Sequence, residues 1–278
     1  MQILDGKKVR DSIAEKIISA LKKTKARPKL VIIQVGSDER STIYVRQKKI
    51  FGEKLGFEVE HINLDKKISE EELISKINIF NKEKTVNGII VQMPLPKNIN
   101  SALVIETISG EKDVDGLSSF NLMALFRGEN GFFIPATTRG ILSLLDFYKI
   151  DVSGKKVVIV GRSLLVGRPT VVSLLNRNAT VTVCHTKTKN LKDEVKSADI
   201  VIVATGSPKL IKKDFVKKGQ IIIDVGITKI GDKLFGDVDF DSVSKVVKAI
   251  TPVPGGVGPM TVVSLFENLL LAYNIQNR

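Results

Sequence analysis

The feature that most constrains this chain is an alternation of short strand-like runs with segments of helical spacing, repeated from residue 29 to residue 226. "KLVIIQVG" reads as a buried strand, residues 41–55 as a helix and "FEVEHINL" as a second strand. "SEEELISKINIFNKE" reads as a helix opened by Ser69, with Glu72 in the capping-box position. "VNGIIVQ" closes this series and is stopped by Met93-Pro94 and Leu95-Pro96. A second series follows "PATTRGILSLLDFYKI", where a helix is expected from Thr137. Its strands are "KKVVIVG", "TVTVCH", "DIVIVATG" and "QIIIDVG", with helices after the first two and a short one near Phe215. Strands joined by helices pair in parallel, so the pattern predicts two parallel-sheet α/β domains, each with its own sheet. An amphipathic helix on Val9, Ile13, Ile17 and Leu21 precedes them, and "VVSLFENLLLAYNIQ" closes the chain as a helix.

A length of 278 residues suits two domains. Aromatic residues are 5% of the chain, so the core is expected to be aliphatic. The net charge of +13 favours anionic ligands, but lysine and arginine are scattered along the helix surfaces. Nucleic-acid binders concentrate or interleave such residues, so a solvated basic exterior is the better reading and no nucleic-acid partner is expected. One cysteine, Cys184, excludes an internal disulfide, and two histidines, His61 and His185, leave no His/Cys metal set. A reducing cytoplasm fits. No segment approaches the roughly 20 apolar residues of a membrane span, so no membrane partner is expected.

"KKVVIVGRSLLVGRPTVV" has the strand–glycine–helix outline of a dinucleotide turn but lacks the middle glycine of G-x-G-x-x-G, since Gly161 is followed by Arg162, Ser163 and then Gly167. Gly161 allows the tight turn, and the following helix start is expected to present free N–H groups to a pyrophosphate. By itself the motif fits an ordinary tight βα turn equally well. About 20 residues past the first glycine an NAD site carries an acid for the ribose hydroxyl. Here the strand ends in "CHTKTK", and His185, Thr186 and Lys187, with Arg162, supply donors and charge where a 2′-phosphate would lie. That selects NADP over NAD. His185 suits packing at a strand end as well as it suits a phosphate, and Lys187 alone suits a solvent-facing loop.

In the first half, Tyr44 and Lys48 stand four apart on one helix face, after the carboxyl end of a strand, where open α/β sheets place ligands. Gln92 ends the third strand and points into the same region. A ring to stack, an amine whose pKa responds to burial and an amide to orient it make a plausible site; a surface Tyr/Lys pair is the alternative. Asp113 and Asp115 in "EKDVDGLSSFN" do not continue as a calcium loop, because the next alternate position is Leu117. Two carboxylates before Gly116 also suit a helix cap.

Taken in order, "YVRQK", "GIIVQMPLP", "KDVDGL", "GRSLLVGRP", "IDVGI" and "TPVPGGVGPMT" closely resemble the bifunctional methylenetetrahydrofolate dehydrogenase and methenyltetrahydrofolate cyclohydrolase family over nearly the whole chain. The resemblance implies a folate-binding catalytic domain of residues 1–136 and 258–278 and an NADP-binding, Rossmann-like domain of residues 137–257, with a cleft between them. It implies oxidation of 5,10-methylenetetrahydrofolate by NADP and hydrolysis of the product to 10-formyltetrahydrofolate, within one-carbon metabolism and purine biosynthesis. Tetrahydrofolate derivatives are the implied partners and a cytoplasmic homodimer the implied state. Carried over by motif, Lys48 is the central catalytic residue, Tyr44 stacks on the folate, Gln92 holds Lys48 and Asp115 binds the pterin. Gly161, Arg162, Ser163, His185, Thr186, Thr205 and Gly206 hold NADP, with Ile227 near the nicotinamide and no metal; Pro254, Gly255 and Gly256 shape the cleft. One departure stands out: where the family commonly has "PCTP", this chain has Ala136 for the cysteine and Thr138 for the second proline. Another two-domain NADP dehydrogenase acting on a hydroxy acid, of the shikimate type, is the alternative, and a basic nucleic-acid-binding scaffold is a third.

Overall fold

A computed structural model describes residues 1–129 and 132–278, with Arg40 described by its backbone alone. The first series comprises β1 (Gln2–Ile3), α1 (Gly6–Leu21), β2 (Lys29–Val35), α2 (Glu39–Leu55), β3 (Glu58–Leu64), α3 (Glu70–Lys82), β4 (Val86–Val91), α4 (Ser101–Thr107) and α5 (Ser119–Arg127). The second begins with α6 (Ala136–Phe147), β5 (Lys156–Val160), α7 (Gly167–Leu175), β6 (Thr180–Cys184), α8 (Leu191–Ser197) and β7 (Ile200–Val203). It ends with β8 (Ile221–Asp224), β9 (Thr228–Ile230), β10 (Lys233–Phe235), α9 (Phe240–Val243), β11 (Ala249–Ile250) and α10 (Val257–Gln276); a 3-10 turn at Lys213–Phe215 precedes β8. The chain divides into two compact units, residues 13–136 with 264–278 and residues 1–12 with 137–263.

In the unit of residues 13–136, the sheet order is β3-β2-β4, all parallel. The chain passes from β2 to β3 and returns to β4 on the other side of β2, so the order reverses at β2. Six of the seven residues of β2 and all of β4 are buried, which accounts for continuous apolar runs rather than alternation. An aliphatic core of Val31, Ile33, Leu73, Ile77, Ile89 and Val104 joins the sheet to α3 and α4. The capping box at α3 is present: Ser69 Oγ accepts from Glu72 N–H at 3.1 Å and Glu72 Oε2 accepts from Ser69 N–H at 3.0 Å.

The other unit holds a six-stranded sheet of order β1-β11-β8-β7-β5-β6, parallel throughout. Its order reverses at β5, between β6 and β7, as in Rossmann-like sheets. Residues 1–12, expected with the first half, group here because Gln2 and Ile3 pair with Ala249 and Ile250 at the sheet edge. Residues 258–263 also group here, since the division falls inside α10. The β9–β10 hairpin had no strand signal; Gly231, at φ +58°, makes its turn. The departure at Ala136 and Thr138 leaves the start of α6 intact: Thr138 is fully buried, and its Oγ1 lies 3.1 Å from Thr170 Oγ1, which donates to the Val166 carbonyl at 2.7 Å. Among the described residues no helix is long and apolar enough to cross a membrane.

Helix α2 lies close to the aromatic cluster of Phe51, Phe57 and Phe266, and it can do so because residue 52 is glycine. A Cβ there would run into the Phe266 ring and come within 2.7 Å of Val59 Cγ2. Gly52→Ala should therefore lower the unfolding free energy by about 1–3 kcal/mol through overpacking, read from the urea midpoint. An unchanged midpoint would mean that α2 shifts freely.

Candidate active site and dinucleotide turn

At the carboxyl end of β2 the chain turns at Gly36, φ +78°, and Asp38 caps α2 by accepting from Ser41 N–H at 2.9 Å. This brings the face bearing Tyr44 and Lys48 over the end of the sheet. Gln92 follows β4, and its N–H donates to the Ile33 carbonyl at 2.8 Å, extending the ladder. The Gln92 Nε2 amide donates to the Met93 carbonyl at 2.7 Å, which leaves Oε1 to accept from Lys48 Nζ at 3.1 Å. Tyr44 is 48% exposed.

The two carboxylates of the "DVDG" loop part company. Asp113 is buried, and its oxygens accept from Gly116 N–H at 3.1 Å, Ser118 N–H at 2.7 Å and Asn121 Nδ2 at 2.9 Å. That is the loop-capping role. Asp115 instead interacts with Lys48 through charge. Its position is set by the backbone: the Asp115 carbonyl accepts from Ala136 N–H at 3.3 Å, and Asn268 Nδ2 donates to the Val114 and Ile134 carbonyls, both at 2.9 Å. Asn121 and Asn268 are positioning residues that pattern reading missed. Their only signal is an amide on a largely apolar helix face.

Lys48 and Asp115 keep some accessible surface, yet protein crowds both charged ends. Desolvation holds the Lys48 amine below the ordinary lysine range, with the Asp115 charge opposing it; desolvation likewise raises Asp115, with Lys48 opposing. An amine so placed is neutral in a larger fraction of molecules near neutral pH than a free lysine, and it can accept a proton.

In the other unit, Gly161 follows β5 at φ +127°. A Cβ there would strike the Ala204 carbonyl, and one on Gly167 would strike the Gly161 carbonyl. The two glycines therefore let the turn pass close to β7 and let α7 begin against the turn. Ser163 replaces the missing glycine and changes the site: its Oγ accepts from Val166 N–H at 3.2 Å and Gly167 N–H at 3.4 Å, and its carbonyl accepts from Arg168 N–H at 3.0 Å. The expectation of free N–H groups at this helix start is thereby corrected, because a serine acceptor occupies them. Arg162 and Thr186 are exposed. His185 is tied into its own turn, with Nδ1 accepting from Lys187 N–H at 3.1 Å, so Nε2 is the nitrogen left to donate.

The N–H groups of Thr205 and Gly206 both donate to Asp237 Oδ2, at 2.6 and 3.0 Å, a partner without sequence signal. Ile227 is 40% exposed. Around Pro254, Gly255 adopts φ +109° and its carbonyl accepts from Gly6 N–H at 2.9 Å; a Cβ on Gly256 would come within 2.6 Å of the Pro252 carbonyl. The cradle at Gly161 and Gly167, open space above Gly206 and the exposed Arg162 suit a phosphorylated dinucleotide.

Fold and sites define an α/β protein with a dinucleotide turn in one unit and an amine–amide–carboxylate cluster in the other. Residues 4–115 match the catalytic-domain model of tetrahydrofolate dehydrogenase/cyclohydrolase, and residues 135–277 match the NAD(P)-binding-domain model of the same enzymes. The chain is 50% identical over 270 residues to the bifunctional protein FolD of Ligilactobacillus salivarius, covering 95% of this chain and 94% of that one. It is similar to the crystal structure of the FolD methylenetetrahydrofolate dehydrogenase/cyclohydrolase of Campylobacter jejuni, at 42% identity and TM-score 0.97, covering 99% of each chain. The Trypanosoma brucei FolD, solved with NADP and an inhibitor, is 34% identical with TM-score 0.94, covering 99% of this chain and 98% of that one. The chain belongs to the tetrahydrofolate dehydrogenase/cyclohydrolase family.

The opposition between Lys48 and Asp115 has a measurable sign. Asp115→Asn removes the charge that favours the ammonium form, so the Lys48 amine should titrate at lower pH than in the wild type, followed by NMR of labelled lysine. An upward shift would mean that Asp115 does not act on Lys48.

Proposed function

We propose that this chain performs two consecutive steps on a folate-bound carbon: oxidation of 5,10-methylenetetrahydrofolate to 5,10-methenyltetrahydrofolate with NADP, then hydrolysis to 10-formyltetrahydrofolate. The observation that carries this reading is the Lys48 amine, bonded to the Gln92 amide at 3.1 Å and held below its ordinary pKa by burial. NADP, when bound, supplies the hydride acceptor of the first step. Tyr44 stacks on the folate and Asp115 hydrogen-bonds the pterin, and together they align the reacting carbon. Hydride loss leaves a cation at that carbon, which water then attacks. Lys48 in its neutral form takes a proton from the attacking water and returns it to the folate nitrogen whose bond to the carbon breaks, while the remaining hydroxyl proton leaves to solvent as the formyl carbonyl forms. Gln92 keeps the amine in line.

In the other unit, Gly161, Ser163, His185, Thr205, Gly206 and Ile227 form the walls of the NADP site, and Arg162 with Thr186 meets the 2′-phosphate. The absence of an acid after β6 and the NADP complex of the Trypanosoma relative support that preference. Pro254, Gly255 and Gly256 shape the substrate side. The family resemblance supports a cytoplasmic homodimer whose formyl product serves purine synthesis.

A coupled assay following NADPH and methenyltetrahydrofolate together tests the whole reading, and no NADPH from methylenetetrahydrofolate and NADP would overturn it. Lys48→Met keeps the stem and removes the amine. Hydrolysis of methenyltetrahydrofolate, corrected for the spontaneous rate, should fall by roughly 10²–10⁴-fold, and near-wild-type hydrolysis would remove Lys48 from catalysis. Arg162→Ala should raise KM for NADP more than for NAD, by the roughly 1.5–3 kcal/mol of a charge-assisted phosphate contact; equal losses would assign the 2′-phosphate to other residues.

A further inference from the structure

Two buried carboxylates in the dinucleotide-binding unit are used by neither proposed step. Asp224 ends β8 and Asp237 follows β10; they are 3% and 0% exposed. Asp224 Oδ1 accepts from Gly226 N–H and Asp237 N–H, both at 3.0 Å, and Oδ2 accepts from Val238 N–H at 2.9 Å. Asp237 Oδ2 accepts from Thr205 and Gly206, while its Oδ1 has no hydrogen-bond partner. The loops are cut to fit: a Cβ on Gly226 would strike the Asp237 carboxylate, and one on Gly236 would strike Asp224 Oδ2. Each aspartate thus sits where the glycine beside the other leaves room.

Burying two like charges opposes folding, and an orphaned carboxylate oxygen adds to the cost. Burial, with the Asp237 charge adding to it, pushes the Asp224 carboxyl up to about 7. A cost of this kind persists where it holds a functional geometry. The geometry held here is the turn after β7. With both N–H groups drawn inward by Asp237, Gly206 at φ +67° has open space where a side chain would stand, and the Gly206 carbonyl accepts from Thr228 Oγ1 at 3.4 Å.

We propose that Asp237 is a positioning residue for the dinucleotide: braced by Asp224, its carboxylate holds the Thr205–Gly206 turn in the shape that receives the cofactor, acting through backbone N–H groups. The inference rests on reading this unit as the NADP site. Asp224 links the segment that carries Ile227 to the same anchor through Gly226 N–H and Asp237 N–H. The loops after β7 and β8, at the carboxyl edge of the sheet, and the segment after β10 therefore share one pair of acids.

The test is NADP affinity by calorimetry, with hydrolysis of added methenyltetrahydrofolate measured on the same proteins without NADP. Asp237→Ala removes the acceptor and should weaken NADP binding tenfold or more, with hydrolysis falling by a much smaller factor. Asp237→Asn keeps one oxygen that accepts both N–H groups and should restore most of the affinity. Wild-type affinity in Asp237→Ala would overturn the proposal, as would equal losses of affinity and hydrolysis, or an Asn variant as weak as the Ala variant. Should Asp237→Ala fail to fold, hydrogen exchange on the wild type without NADP decides: slow exchange at Thr205 and Gly206 supports the anchor, and exchange at free-peptide rates overturns it. A wild-type protein that binds no NADP would instead overturn the functional reading beneath the inference.

Discussion

The reversal of strand order at a central parallel strand is the constraint on which both sites depend. A parallel strand must be re-entered from the same end, so the loops after β2 and β4 gather at one edge, as do those after β5 and β7. In the first unit the register that pairs Ile33 with Val91 leaves Gln92 N–H to continue the ladder to the Ile33 carbonyl. That single backbone bond sets where the Gln92 amide stands when α2 delivers Lys48. A shift of one residue would turn the amide to the other face of the sheet.

Charge burial is the second theme, and the two units use it differently. Around Lys48 the charges are opposite, so each moderates the desolvation of the other and the amine stays titratable. Around Asp224 they are alike, and backbone N–H groups rather than a cation compensate them. The first arrangement leaves a group that can move a proton. The second ties loops together.

The turn at Gly161 illustrates how one substitution in a motif alters its physics without abolishing it. Gly161 and Gly167 keep the steric functions of their positions, because a Cβ at either would strike backbone. Ser163, with a side-chain acceptor, takes N–H groups that a glycine in its place would have left free. Arg162, beside this turn, is exposed and not part of that hydrogen-bond set.

From residues alone, the alternation of strand and helix, the parallel sheets, the capping box at Ser69 and the candidate pairing of Lys48 with Gln92 were legible, because each depends on local periodicity or on motif order along the chain. What only the tertiary structure decided was which of two neighbouring aspartates binds its own loop and which acts on the lysine through charge, that Gln2 and Ile3 add an edge strand to the second unit's sheet, and that Asp237 accepts from the Thr205–Gly206 turn. Asp113 and Asp115 are chemically identical in the sequence; the difference arises when Asn121, Ser118 and Gly116 close on one of them. Likewise β1 pairs with residues almost 250 positions away, and Asp237 reaches N–H groups about 30 positions back. Contacts of that span leave no periodic trace, because the energy that selects them appears only when distant backbone N–H groups and carboxylates are buried together.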